Sequence, residues 1–406
     1  MRRWYTIALA CLVIAASIGT LLRAIYVVEM PGLDFMRWLD AHSHLAMLGW
    51  AFTGLFIALL DQEEHVILPQ RFRWLMAGSL MATTGMVLSY LLFGHGAGSI
   101  GFSVIQILMA YGLVAIAWRA MAHWPVDGSR LLARIALVLL VISTVGEWAM
   151  GPIVYGGLQG TEIYYWSEQF FLHFQFNGWF WFGAMAVGSR WAELHGVPVR
   201  IDRFTTWLWL ISALLTFALV IAWSERFLLV LAVNSAGVLI QFWAAWRTLM
   251  AMRNARPQAL VRTTTWMRVC IGALLFAMAV KVTIQAAVAV PVMAEMALII
   301  RNYVIGFIHV NTLGIVTSLL FAHGLMRGWF DERRVIIRAG LGLFFLGVAA
   351  SELLLFTQGT MLWVGMGLMP GFYWTLLAFS MLLPVGAILL LIHLLRSGAK
   401  VTRVAA

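Results

Sequence analysis

The sequence predicts an all-α protein, a polytopic membrane bundle of twelve transmembrane helices in three pseudo-repeated four-helix arcs. Of its 406 residues, 63% are hydrophobic and 11% charged, with a mean hydropathy of +0.91. A water-soluble fold of this size could not keep so much apolar surface from solvent. The 27 Lys and Arg recur in short segments between apolar runs instead of forming a patch. The net charge of +10 therefore reports topology and does not mark a nucleic-acid binder. A histidine signature also occurs three times, at intervals close to a third of the chain.

Taken in order, apolar runs of roughly 20 residues are centred near Leu12, Leu55, Met81, Leu108, Leu139, Trp179, Leu214, Val238, Phe276, Gly314, Phe345 and Leu383. The first opens on Arg2-Arg3 and continues to Val28 without a small-residue cleavage site, so it is expected to be an uncleaved span rather than a signal peptide. With both termini in the cytoplasm, 22 of the 27 cations lie on the inner side, and every inner loop satisfies the positive-inside rule. The five others are Arg23, Arg37, Arg226, Lys281 and Arg301. The longest outer connections are expected around residues 151–168 and 357–370, and no soluble domain interrupts the pattern. Residues 1–406 thus form one transmembrane domain, with pseudo-repeats at about 1–128, 129–262 and 263–396. Cys11 and Cys270 lie inside apolar runs and are expected to be packing residues.

The repeated signature is a histidine followed five residues later by glycine: His44 with Gly49, His173 with Gly178 and His309 with Gly314, in spans two, six and ten. The histidines stand 129 and 136 residues apart. All three spans run inward, and each histidine falls within two turns of its helix start, so the three are expected to form a layer in the outer third of the membrane. Ionisable groups at such depth are costly, and function is their default reading. His42 joins the layer two positions before His44, and that spacing turns the two rings to opposite faces of span two. His42 and His44 are expected to reach separate centres, one shared with His309 and the other with His173, with His95 as the reserve ligand. His65, His123, His195, His323 and His393 are read as surface residues.

Neutral imidazole suits iron, copper and zinc, whereas magnesium or calcium would need oxygen ligands that this layer lacks. Two facing histidines in an aromatic, glycine-rich setting suit a haem, with Gly49, Gly178 and Gly314 giving clearance for its ring. Arg23, Glu147 and Lys281 occupy the first span of each repeat. Arg23 and Lys281 are candidates to pair with outward-pointing haem propionates, and for Arg23 snorkelling to the membrane interface is the favoured alternative. Glu147 and Glu352 are candidate proton-relay or ion-pair groups, and a Glu147–Lys281 pair is the structural alternative.

Twelve spans in three arcs, with histidines high on helices two, six and ten, resemble the catalytic subunit of the haem-copper oxidase superfamily, which includes nitric oxide reductases. The segment from His42 to Trp50 is similar to that superfamily's His-x-His helix and to the opening His-x-His of the NnrS family of haem- and copper-containing membrane proteins. The resemblance covers the helix pattern of the whole chain but only three short motifs. It departs where the superfamily places His-x-His on helix ten and a His-His pair on helix seven. What it implies is one or two b-type haems, copper as a further metal, a quinone or cytochrome electron donor, and a bacterial-type inner membrane. The implied activity is oxidoreduction of nitric oxide or oxygen, but without a full copper site weak or no oxidase activity is expected. A haem saturated by two histidines is expected between spans two and ten, with a less complete centre towards span six. The alternative from another class is a copper or small-solute transporter using the same histidines.

Overall fold

The computed structural model describes residues 1–63, 68–126, 128–222, 224 and 228–404. His65 and Arg226 lie outside the described residues. The described chain is helical, without strands: α1 (Arg2–Ala24), α2 (Phe35–Leu60), α3 (Gln70–Phe93), α4 (Ala97–His123), α5 (Ser129–Tyr155), α6 (Glu162–Phe174 and Trp181–Leu194, joined by a π turn), α7 (Arg203–Ile221), α8 (Leu228–Val261), α9 (Thr265–Ala287), α10 (Arg301–Met326), α11 (Val335–Trp363) and α12 (Phe372–Val404). A short helix, Pro291–Ile299, connects α9 to α10. Among the described residues, eleven of the twelve numbered helices, all but α6, are long and apolar enough to cross a membrane. The chain is a multi-pass membrane protein. His173, Gln175 and Asn177 lower the mean hydropathy of α6. Both long outer connections are shorter than the sequence suggested, because α5 and α11 continue to Tyr155 and Trp363.

The helices are organised around α2 and α10, whose apolar windows are 78% and 61% buried against 28–56% in the other nine. Helix α6 joins them at the centre: Trp179 lies 4.7 Å from Phe56 of α2, ring centre to ring centre, and Trp50 of α2 donates to the Thr317 hydroxyl of α10 at 2.8 Å. Around this core the outer helices turn large apolar side chains outward, among them Trp74, Phe93, Phe276 and Leu353. Such a surface suits lipid.

The same local arrangement recurs in the three central helices. Each contains a π turn, Leu45–Phe52, Gln175–Phe180 and Val310–Thr317, starting one or two residues after His44, His173 and His309. A π turn widens the helix by one residue, and such turns concentrate at functional sites. Two of them are tied by a threonine hydroxyl that donates to the carbonyl five residues earlier: Thr53 to Leu48 at 2.9 Å and Thr317 to Thr312 at 2.8 Å.

The repeat glycines do not open space for a ring, which corrects the expectation for them. A Cβ on Gly49 would lie 2.9 Å from Cys11 Cβ, on Gly178 2.7 Å from Leu139 Cβ, and on Gly314 2.7 Å from Ala277 Cβ. Each glycine therefore lets its helix close on α1, α5 or α9, the helix four places from the next in the series. A second device sits one turn further on. Leu55 of α2 covers Gly183 of α6, and Leu320 of α10 covers Gly54 of α2. In both cases a leucine six residues after its own repeat glycine fills the gap left five residues after its neighbour's. The equivalent positions for the third interface, Ala184 and Leu319, carry the small and large residues the other way round.

Candidate functional site

His42, His309, Glu352 and Arg23 come together where α1, α2, α10, α11 and α12 meet. The His42 ring lies against Gly19, where a Cβ would come within 2.7 Å of its Cε1, so the absence of a side chain on α1 makes the ring's position available. His42 Nδ1 donates to the Ala15 carbonyl at 2.8 Å. His309 Nδ1 donates to Glu352 Oε1, also at 2.8 Å. Among the described residues, neither ring has a hydrogen-bond partner at Nε2. Both imidazoles are thereby fixed with the Nε2 lone pair free, the arrangement by which proteins orient a metal-binding histidine.

His309 and Arg23 lie close enough to His42 for their charges to act on it, and Glu352 acts likewise on Arg23. Arg23 does not reach for the membrane interface; its guanidinium donates to the Ser380 hydroxyl of α12. Glu352 Oε2 is buried with no partner, leaving a carboxylate oxygen able to accept from a further donor. Gly306 of α10 makes room for the Phe356 ring and this carboxylate, since a Cβ there would stand 2.9 Å from the ring and 3.3 Å from Oε2.

His44 diverges from His42 as the helix geometry required, but not towards His173. Its Nδ1 donates to the Asp40 carbonyl at 2.8 Å, and its Nε2 accepts from the Tyr90 hydroxyl at 3.3 Å. Tyr90 is in turn stacked on exposed His95 at 6.0 Å. The reserve histidine thus belongs to the side of His44, through a tyrosine. Glu147 accepts from Ser103 at 3.4 Å and has Glu168 as its charged neighbour. The expected alternative pairing of Glu147 with Lys281 does not form.

His173 belongs to a different compartment, between α6, α7, α8 and α9. Its Nε2 donates to the Ala213 carbonyl at 2.8 Å, so its Nδ1 is the acceptor and takes a hydrogen bond from Asn177 at 3.1 Å. Asn177 accepts from Gln285, and Gln285 from Gln241, at 3.0 and 2.9 Å. Both ring nitrogens of His173 are therefore occupied by the protein. Lys281, 1% exposed, donates to the Phe176 carbonyl of the π turn at 2.9 Å and lies 4.6 Å from the centre of the Trp181 ring. It stands beside His173 rather than with the His42–His309 pair.

At the opposite ends of α2 and α10 the sequence reading missed a buried charged group. His323, read as a surface residue, is 2% exposed; its Nε2 lies 3.4 Å from Asp61 Oδ2, and Arg327 Nε approaches the same oxygen at 2.9 Å. Asp61 directly follows an apolar run and His323 interrupts another, a pairing that could have been found by matching lone charges at equal depth. Beside it, Glu63 accepts from His123 at 3.0 Å and from Arg190. Burial raises the Glu63 pKa, but the hydrogen bonds and charges of Arg190 and His123 outweigh it and hold the carboxyl below its ordinary range. Among the described residues, no three His, Cys, Asp or Glu side chains stand close enough together to hold a metal ion. No protein-family model matches the chain, and no curated protein matches it.

Proposed function

We propose that this chain is a haem-binding membrane redox protein whose iron is held between Nε2 of His42 and Nε2 of His309. The observation that carries the reading is the pair of imidazoles from two central helices, each anchored at Nδ1 and each free at Nε2. An iron with two imidazole ligands is saturated and passes electrons one at a time without binding a gas. The Ala15 carbonyl and the Glu352 carboxylate hold the two rings in the tautomer that leaves Nε2 unprotonated, and Glu352 also raises the basicity of His309. Arg23 supplies a half-buried cation for a propionate. Lys281 lies in the His173 compartment and has no part in this pair. Copper is the alternative metal for the same two nitrogens, and the proposed electron donor is a quinol or a cytochrome.

The proposed architecture is twelve spans, with α6 as the twelfth, in three arcs beginning at α1, α5 and α9, both termini on the cytoplasmic side of a bacterial-type inner membrane. It is supported by the three π turns in matching register, by the glycine contacts to α1, α5 and α9, and by the charge asymmetry of the loops. The test is the haem and iron content of the detergent-purified protein, with carbon monoxide then added to the reduced form. Near-stoichiometric haem with a spectrum unchanged by carbon monoxide is expected. Protein from haem-replete cells without haem, or a spectrum that carbon monoxide shifts in full, would refute the saturated pair.

A further inference from the structure

Two cations at the junction of α4 and α5 are neutralised by nothing among the described residues. Four described arginines keep Nε buried without a hydrogen bond: Arg130, Arg134, Arg190 and Arg327. Arg190 and Arg327 have carboxylates beside them, Glu63 and Glu193 for the first and Asp61 for the second. Arg130 and Arg134 take part in none of the ion pairs among the described residues. Glu193 reaches the start of α5, but its oxygens accept from the Ser129 amide, the Ser129 hydroxyl and Arg190. The guanidinium carbon of Arg134 lies 4.7 Å from the centre of the Trp118 ring of α4. That contact engages the face of the guanidinium and leaves its edge N–H groups without an acceptor. Two like charges one turn apart on a helix also repel each other.

Both arginines continue the face that α5 turns outward. Val138, Val141, Val145 and Trp148 are exposed, and at about 100° per residue these four and the two arginines fall within about 80° of arc. On α4, Leu108 and Ile105 are exposed on the way down from Trp118. Helix α5 has 27 residues and is about 40 Å long, so across a hydrocarbon core of about 30 Å it projects about 5 Å at each end. Arg130, in the first turn, then lies in the headgroup layer, and Arg134, about 7 Å from the helix start, lies at the edge of the hydrocarbon. The acceptor that a bilayer offers at this level is lipid phosphate.

We propose that Arg130 and Arg134 bind an anionic phospholipid with two phosphodiester groups, diphosphatidylglycerol, whose acyl chains lie along Val138, Val141 and Val145. Each phosphodiester carries one negative charge and accepts from one guanidinium fork, so the headgroup and the arginine pair neutralise each other. A phospholipid with an amine beside a single phosphate has no net charge to offer the pair. Trp118 holds the Arg134 guanidinium in place for the phosphate. The site is independent of the haem reading, and the optical spectrum serves as the separate readout for that reading.

The experiment is native mass spectrometry of the full-length protein in an uncharged detergent, titrated with diphosphatidylglycerol and, separately, with phosphatidylethanolamine of the same acyl composition. Diphosphatidylglycerol is expected to bind at least about tenfold more tightly. Arg130→Gln/Arg134→Gln is expected to bring the two affinities to within about threefold. Arg71→Gln/Arg73→Gln, which removes two exposed cations from the start of α3, is expected to keep the full preference. Each single variant, Arg130→Gln and Arg134→Gln, is expected to weaken diphosphatidylglycerol binding at least about threefold, and these decide the matter if the double variant does not fold. Excess inorganic phosphate is expected to leave the lipid bound, because the acyl chains supply part of the affinity. Equal affinities in the wild type, a preference that survives the loss of Arg130 and Arg134, single variants that bind as the wild type does, an equal loss in Arg71→Gln/Arg73→Gln, or displacement by inorganic phosphate would each overturn the proposal.

Discussion

Replacing Gly314 by alanine tests the close packing of α10, one of the three histidine helices, on α9. The new Cβ would stand 2.7 Å from Ala277 Cβ, whereas carbon atoms in comfortable contact lie about 3.5–4.0 Å apart. Neither atom can rotate away, because both are fixed to their backbones, so α9 and α10 must separate by roughly 1 Å. Overpacking of this kind costs about 1–3 kcal/mol. Alanine also improves helix propensity by up to about 1 kcal/mol, so the gross effect understates the clash. Gly272→Ala on α9 isolates that gain, since a Cβ there meets nothing within 4 Å. The difference between the two variants is then expected to be about 1–3 kcal/mol, measured by SDS titration of the purified protein with far-ultraviolet circular dichroism. Ala277→Gly removes the obstacle, and the double variant Gly314→Ala/Ala277→Gly should recover most of the loss. A coupling energy near zero, or equal effects of Gly314→Ala and Gly272→Ala, would refute the close approach.

Two further outcomes follow from named contacts. Glu352→Gln keeps an acceptor for His309 Nδ1 but removes its charge, and charge-assisted bonds are about twice as strong as neutral ones. Retention of haem or metal against a competing acceptor should fall about 10–100-fold, and unchanged retention would show that Glu352 does not support His309. Glu63 is held below the free carboxyl value of about 4.3, so its contact with Arg190 and His123 stabilises fully above that pH and is lost as the pH falls through the lower folded value. Acid unfolding of wild type and Glu63→Gln should therefore differ at about pH 5, and the difference should shrink as the pH falls below about 4; curves that stay parallel into acid would contradict this.

The sequence carried the helices because burial in lipid leaves its mark on every apolar run, and it carried the histidine series because depth and spacing are linear along a helix. Helix α6 is the instructive exception. His173, Gln175 and Asn177 make it less apolar than its neighbours, yet they are buried with partners: Asn177 bonds His173 and Gln285, a residue 108 positions beyond it, and Gln175 donates to Ser143 of α5. Partners so distant in sequence could not be read from it, and for that reason His173 looked equivalent to His309. The π turns were equally hidden, since their trace in sequence is no more than a glycine and two threonines. Backbone partners are invisible for the same reason: nothing about Ala15 announces that its carbonyl holds His42. His42 and His44 could be assigned to different faces by rotation alone, but which neighbour each face met depended on how the helices packed.

The central claim, that His42 and His309 hold one iron while His173 holds none, is tested most directly by the reduced-minus-oxidised optical spectrum of three single variants alongside the wild type. Loss of the haem bands in both His42→Ala and His309→Ala, with His173→Ala keeping the wild-type band positions and haem content, is the expected result. Bands that survive in His42→Ala and His309→Ala, or that vanish in His173→Ala while its helical content is unchanged, would contradict the account.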